Sequence, residues 1–440
     1  MGGGLMQLVA YGAQDVYLTG SPQITFFKLV YRRHTNFAVE SIEQVFNGTP
    51  GFGKKASATI SRNGDLITQV FLQITVPHIT SSTPAEKFQL VNSFAHALIE
   101  SCEIEIGGQR IDKDYSAYYE VCDELMCPEE KRIGYGKMVG KMYDATGKPN
   151  DQSKASGDQL DTHMARLGSS TYYMPLRFWF NNNPGLALPL ISLQYHEVKL
   201  QFSFSDVDKL ILKLDDTDAD PSLHTFKPIS MSGGSALNIN PEISLYVDYI
   251  YLDTEERRRF AQVSHEYLIE QLQFTGVETY TLPKTSAKSE KIRLNFNHPC
   301  KELIFFVRPT DGAMFEFGET VEKGGITGYD YVEEASLLLN GHDRFSTRKG
   351  SYFRLVVPFQ VHTRVPSRHV YCYSFALRPE EHQPSGSCNF SRIDNASLHL
   401  TFAPSSKGAA GEEQVSFTVY ALSYNILRIM SGMGGLAYSN

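Results

Sequence analysis

Apolar and polar residues alternate along much of this chain with the two-residue period of a β-strand. In Val70-Phe71-Leu72-Gln73-Ile74-Thr75-Val76 the even positions are all apolar and predict one buried face. Val198, Leu200, Phe202 and Phe204 alternate with Glu197, Lys199, Gln201 and Ser203, the pattern of an antiparallel strand with its other face in water. Ile292, Leu294 and Phe296 repeat it, as do Leu398, Leu400 and Phe402. Turn signals separate the runs: Asn63-Gly64-Asp65, Gly107-Gly108, Asn183-Pro184-Gly185 and Asn340-Gly341. Many short strands punctuated by Gly and Pro predict an all-β sandwich or barrel.

Three of these signals occur twice and in the same order. The runs at Ile104–Gly108, Val198–Phe204 and Ile243–Leu252 have counterparts at Leu337–Gly341, Leu398–Phe402 and Val415–Tyr424. Such a duplication predicts two copies of one β module. Helical signal is sparse. Thr254-Glu255-Glu256 followed by Arg257-Arg258-Arg259-Phe260 has a capping residue, acids in the first turn and bases behind them, and predicts a short helix at the boundary between the copies. The arginines read as a solvated helix face rather than a nuclear address. The stretches 121–170, 205–240 and 308–332 look irregular and are expected to be long loops at the ends of the sandwich.

At 440 residues the chain exceeds one ordinary core, which suggests two to three domains. The 24 Tyr and 27 Phe against a single Trp suit aromatic β cores. A net charge of −8 argues against a surface that coats nucleic acid, so no direct nucleic-acid contact is expected. The six cysteines (102, 122, 127, 300, 372 and 388) form no CxxC pair and read as buried apolar residues in a reducing compartment. No apolar run approaches the ~20 residues of a membrane span. The opening Gly2-Gly3-Gly4-Leu5-Met6 lacks the regions of a signal peptide, and a soluble protein made in a cytosol is expected.

The chemistry-bearing motifs are all incomplete. Gly134-Tyr135-Gly136-Lys137-Met138-Val139-Gly140-Lys141 misses the phosphate-loop spacing, and Met142 stands where a hydroxyl would bind magnesium, so a surface loop is expected there. His196-Glu197 and His265-Glu266 open like a zinc-protease motif, but Leu200 and Ile269 replace the second histidine. The acidic pairs Asp112/Asp114 and Glu333/Glu334 read as solvated strand edges and turns. No catalytic residue, metal ligand or cofactor site is therefore nominated, and no enzyme is expected. Three Asn-x-Ser/Thr sequences, at Asn47, Asn389 and Asn395, are the candidate glycan acceptors; without a secretory signal they are expected to stay unmodified.

The ends of the chain carry a resemblance. The opening Gln7-Leu8-Val9-Ala10-Tyr11-Gly12-Ala13-Gln14-Asp15-Val16-Tyr17-Leu18-Thr19-Gly20 leads into Pro22-Gln23-Ile24-Thr25-Phe26-Phe27 and Tyr31-Arg32-Arg33. The chain closes with Asn425-Ile426-Leu427-Arg428-Ile429-Met430-Ser431-Gly432-Met433-Gly434-Gly435-Leu436-Ala437-Tyr438. Between them stand Pro184–Ile191, Gln194–Val198, Gln271–Gly276 and Cys388–Asn395. These blocks strongly resemble the major capsid proteins of nucleocytoplasmic large DNA viruses, those of the chlorella viruses (phycodnaviruses) in particular. The match is collinear over most of the chain, except at 121–170 and in the loops near 205–240, 277–290, 308–332 and 403–414.

The resemblance implies a double jelly roll: two tandem eight-stranded jelly rolls, with an arm at 1–26, one module at 27–255 and the other at 256–440. It implies a homotrimer whose six jelly rolls make a pseudo-hexagonal capsomer. Neighbouring capsomers, minor capsid proteins and a penton protein would be the partners, in an icosahedral virion assembled in the host cytoplasm over an inner membrane that the chain does not span. Glycans in such relatives sit on outer loops, yet 277–290, 308–332 and 403–414 contain no asparagine here. The apolar positions Met430, Met433 and Leu436 near the end, and Leu5, Leu8 and Val9 near the start, are the candidate assembly contacts. Two other readings keep the architecture and change the task. A glycan-releasing hydrolase would need acids clustered between the modules. A carbohydrate-binding attachment protein would use loop aromatics such as Tyr135, Tyr143, Phe315 and Phe317.

Overall fold

A computed structural model describes residues 3–77, 88–141, 170–215, 225–228, 240–310, 314–315, 317, 330–404 and 412–438. The chain forms two compact units, Met1–Phe37 and Ala38–Asn440. The small unit holds two short helices, Gly3–Val9 and Val16–Thr19, neither with a buried residue.

The large unit contains two sandwiches of the same design. In the first, one sheet orders its strands Phe37–Gln44, Glu242–Leu252, Leu66–Val76, Ser170–Pro175, and the facing sheet orders Lys55–Thr59, Val198–Phe204, Ile99–Ile106, Gln109–Tyr115. In the second, the orders are His265–Leu282, Glu413–Met430, Pro299–Pro309, Val370–Ser374, and Lys288–Arg293, Ala396–Phe402, Val332–Leu339, His342–Asp343. Counted along the chain within each sandwich, both sheets of both modules read one-eight-three-six and two-seven-four-five. That order defines a jelly roll, and the fold is a double jelly roll. The three repeated sequence signals fall on the fourth, seventh and eighth strands of each copy.

Local chemistry explains the match. The fourth and fifth strands are joined in both copies by a two-residue turn with left-handed backbone, at Gly107 (φ 59°) and Gly108 (φ 81°) in one and Asn340 (φ 50°) and Gly341 (φ 84°) in the other. Gly and Asn adopt that region at least cost, and its twist suits a hairpin. At Gly107 a Cβ would also lie 2.4 Å from the His196 ring, so no side chain fits. The strand Val198–Phe204 buries Val198, Leu200, Phe202 and Phe204 and turns Gln201 outward, as its alternation predicts. The helix between the modules runs Thr254–Gln262; its cap is Asp253, whose carboxylate accepts the Glu256 N–H at 3.0 Å, one residue earlier than the Thr254 expected from sequence.

Two of the three stretches expected to be loops contain regular structure. Residues 116–141 form the helices Ser116–Met126 and Glu129–Val139, so the first stretch begins inside a helix. In the second stretch, Ile211–Asp215 pairs with Thr225–Pro228 and with Phe88–Leu90 in a small separate sheet. Most of the third, like Tyr143, lies outside the described residues. Side chains from both sandwiches belong to one continuous apolar cluster, so the modules share a packed seam. Among the described residues no helix is long and apolar enough to cross a membrane.

Candidate functional site at the seam between the modules

The helix Ser116–Met126 presents Glu120, Asp123 and Glu124 at spacings of three and four, which place them on one face. All three are at most 1% exposed. Buried carboxylates are costly unless paired, and here each has a cation. The next helix, Glu129–Val139, ends at Gly140 in the left-handed region (φ 79°), and the turn delivers Lys141 into the acids. Its Nζ lies 3.1 Å from Glu120, 2.7 Å from Asp123 and 2.8 Å from Glu124. The second jelly roll supplies the remaining partners. Arg368 Nη1 meets Glu120 at 2.8 Å, and Arg364 donates to the backbone carbonyls of Asp123 and Glu124, both at 2.9 Å. The Ser367 N–H and hydroxyl donate to Glu124 Oε2 at 3.1 and 2.8 Å. His96 completes the shell, bridging Glu120 (2.8 Å) and the Tyr135 hydroxyl (2.9 Å).

Burial alone would raise the Glu124 carboxyl; Lys141, Arg368 and Arg364 outweigh it and hold the group at about 2. Glu120 is likewise held well below the usual carboxylate range, burial being outweighed by Lys141 and Arg368. The ligand oxygens of Glu120, Asp123 and Glu124 lie within 4.8 Å of one another, close enough to hold a metal ion. The Lys141 ammonium sits within 3.1 Å of all three acids and supplies the positive charge they need. The cluster is a buried ionic joint between the modules. A hydrolase would need solvent-reachable acids, and these are sealed and neutralised.

Further along the seam, Asp112 accepts the backbone N–H of Leu272 at 3.1 Å, and Gln271 donates to the Ile111 carbonyl. Burial pushes the Asp112 carboxyl up to about 7, against the lowering effect of the Leu272 and Lys113 N–H groups. Rings cross the seam beside it, Tyr115 on Phe274 at 4.8 Å and Tyr118 on Tyr420 at 6.0 Å between centroids. A third set of contacts comes from the end of the chain. The hairpin of Glu413–Met430 with Met433–Leu436 lies on the first jelly roll: the Tyr195 N–H donates to the Gly432 carbonyl at 3.0 Å, and His196 Nδ1 lies 3.0 Å from the Gly434 carbonyl. Gly432 is required there, because its φ is 81° and a Cβ would sit 2.5 Å from the Tyr195 ring.

The sequence candidates fall in several places. Leu5, Leu8 and Val9 are exposed in the small unit, and Met430 and Met433 are 47% and 51% exposed at the hairpin tip. Leu436 instead packs half-buried against the shared core. Asn47, Asn389 and Asn395 are all exposed, Asn389 with its side-chain oxygen taken by the Ser391 N–H. Three expectations are corrected. The Gly134–Lys141 stretch is helix and cap rather than surface loop, Asp112 and Asp114 are buried rather than solvated, and the aromatics Tyr135, Phe315 and Phe317 pack inward rather than lining a sugar platform. All six thiols are free and five are buried. The spacing of Glu120, Asp123 and Glu124 within the apolar run Tyr118–Met126 was the one available signal for the joint. Nothing local marks Lys141, Arg364 or Arg368 as its partners.

The comparisons with known proteins agree with this architecture. Residues 25–253 match the family described as "Major capsid protein N-terminus", and residues 256–435 match "Large eukaryotic DNA virus major capsid protein". The chain is 49% identical to the major capsid protein of Pyramimonas orientalis virus and 44% identical to that of Paramecium bursaria Chlorella virus 1, each over 100% of both chains. A chain of the quasi-atomic model of the PBCV-1 virus capsid superposes with a TM-score of 0.73 at 39% identity, covering 94% of this chain and 100% of that one. The Faustovirus major capsid protein shares the fold, with a TM-score of 0.70 at 12% identity. Two jelly rolls of one strand order, welded through a buried seam and matched end to end by these relatives, make this chain a structural capsid protein that belongs to the major capsid proteins of large eukaryotic DNA viruses.

Proposed function

We propose that three copies of this chain form a capsomer with six similar lobes, and that capsomers of this kind tile the icosahedral shell of a virion. The observation that carries the reading is the identical strand order of the two jelly rolls, held in one fixed relation by the ionic joint. A three-fold assembly of such chains imitates six-fold packing. Weak contacts between capsomers suffice, because many act at once. The arm 1–26 and the modules 27–255 and 256–440 are the working divisions. Leu5, Leu8 and Val9 contact a neighbouring copy or a minor capsid protein, and Met430 and Met433 lie at an assembly interface. A penton protein closes the vertices, an inner membrane lies beneath, the DNA is not touched directly, and assembly takes place in the host cytoplasm. The role is non-enzymatic, and Asn47, Asn389 and Asn395 carry no glycan.

Mass measurement of the purified chain in solution tests this. A stable trimer that forms hexagonal arrays under electron microscopy is expected, whereas a monomer with hydrolase activity would overturn it. Truncating residues 1–20 should impair shell assembly more than trimer formation. Removing 430–440 should impair trimer formation, and normal trimers from that truncation would remove the hairpin from the interface.

A further inference from the structure

The small unit is rich in large apolar side chains, and among residues 3–36 none is buried. Phe26 and Phe27 are 87% and 102% exposed, and Tyr17 is 92% exposed. An apolar display of that density marks a surface that another molecule covers. Its charge points to which one. Residues 1–37 hold three bases (Lys28, Arg32, Arg33) and a single acid, Asp15, giving +2. The Asp15 carboxylate is engaged locally by the Gly12 N–H at 2.7 Å. Residues 38–253 hold 18 bases and 28 acids, a net −10, while residues 254–440 hold 20 of each. Setting aside the charges that are buried among the described residues (Asp65, Asp112, Asp114, Glu120, Asp123, Glu124 and Lys141 in the first jelly roll; Lys301, Glu302, Arg368 and Glu413 in the second) leaves 22 acids and 17 bases, a net −5, against 18 of each. The acidic surplus still lies with the first jelly roll. The bases of the small unit are interleaved with its rings in Phe26-Phe27-Lys28-Leu29-Val30-Tyr31-Arg32-Arg33, so one strip offers apolar contact and positive charge together.

We infer that this strip, residues 26–33, seats on the first jelly roll of a second copy of the chain. The inference rests on the assembly reading above and names the two surfaces that meet. Charge steers the encounter and fixes which module receives the strip, and the rings supply the buried area. The neutral second jelly roll offers no such complement. In this arrangement each chain straps its neighbour.

The experiment uses the full chain alone, with Phe27 replaced by the photo-cross-linking residue p-benzoylphenylalanine. Native mass is recorded first, then the sample is irradiated and the products are mapped by peptide mass. A product of two chains, with Phe27 joined to residues 38–253 of another copy, is expected. It should weaken as salt rises from about 0.1 M to about 1 M, where the screening length falls from ~10 Å to ~3 Å. It should be lost in the double variant Arg32→Glu, Arg33→Glu, whose unchanged unfolding curve would show that the jelly rolls remain intact. A trimer whose cross-links stay within one chain, or reach only residues 254–440, overturns the inference and leaves the trimer standing. A monomer by native mass overturns the assembly reading itself. Flotation of the chain with phosphatidylserine vesicles, without any two-chain product, overturns the inference in favour of a lipid anchor.

Discussion

Between its fifth and sixth strands the first jelly roll folds the helix Ser116–Met126, in which every residue from Ser116 to Leu125 is buried. At the same place the second jelly roll forms a π-turn, Tyr352–Val356, and a short helix, Val357–Val361, that leave Phe359 78% exposed with Leu355 and Val356 beside it. One topological position thus takes two forms. In the first module it is wholly enclosed and carries the acids; in the second it is split, sending Arg364 and Arg368 inward to those acids and leaving Phe359 outward as apolar surface. Duplication gave two equivalent positions, and the charges of one are buried against those of the other. A buried ion cluster is a weak source of net stability, since desolvation consumes most of the Coulomb gain. Its contribution is to geometry, because Arg364 and Arg368 of one module reach the acids of the other.

Breaking the inward position should have the largest effect. Lys141→Met takes from Asp123 its ion-pair partner and from Glu120 and Glu124 one of theirs, and should cost about 3–5 kcal/mol in denaturant unfolding. A loss near zero would show that the cluster is hydrated rather than dry. Next is the hairpin end of the seam. Gly432→Val needs a left-handed backbone and collides with Tyr195, so a loss of about 1–3 kcal/mol is expected by thermal unfolding.

The two acidic regions of the seam should then respond to pH with opposite sign. Glu124 has a folded pKa of about 2, below its ordinary 4.5, so its contribution is present above pH 4.5 and is lost as pH falls toward 2. Asp112 is raised from 3.8 to about 7, so the unfolded chain releases that proton first and stability declines as pH rises from 3.8 to 7. Unfolding measured across that second window should be flatter in Asp112→Asn than in the parent chain. An unaltered slope would place the titration elsewhere.

The outward position should cost least. Phe359→Ser should change the unfolding free energy by about 0.5 kcal/mol or less, because the ring is already in water. Light scattering of array formation should nevertheless fall if that surface joins capsomers. A large loss of chain stability would instead show that the ring supports its own module.

Alternation, the Gly107-Gly108 and Asn340-Gly341 turns and the three duplicated signals are enough to recognise two β modules and to pair their fourth, seventh and eighth strands. The helix after Leu252 is legible from its acids and bases, to within one residue of its cap. The long stretch from 121 looks like a loop in sequence because charge interrupts it, yet the helix Ser116–Met126 is enclosed on every side, including the face that carries Glu120, Asp123 and Glu124. Composition marks that face as solvated, and only the cations arriving from Lys141 and from 364–368 allow it to be enclosed. The Gly134–Lys141 run misleads for the same reason, since a glycine-rich basic segment looks like a loop until its terminal lysine is seen to be enclosed. Leu436 and Met433 look alike in sequence, but three residues along a docked hairpin separate a side chain half-buried against the core from an exposed one.

The clearly alternating strands, their turns and the duplication are legible along the chain, because β periodicity and left-handed turns are set by neighbours a few residues apart. So is the charge asymmetry between the two modules, which is a matter of counting. Long-range packing settles which charges are buried, what each module's fifth-to-sixth-strand segment contacts, and that Gly432–Gly434 return to the first jelly roll. Those outcomes depend on partners more than two hundred residues distant, such as Glu120 with Arg368 and His196 with Gly434. A charge is solvated or enclosed according to what the rest of the fold brings to it, and no local pattern encodes that.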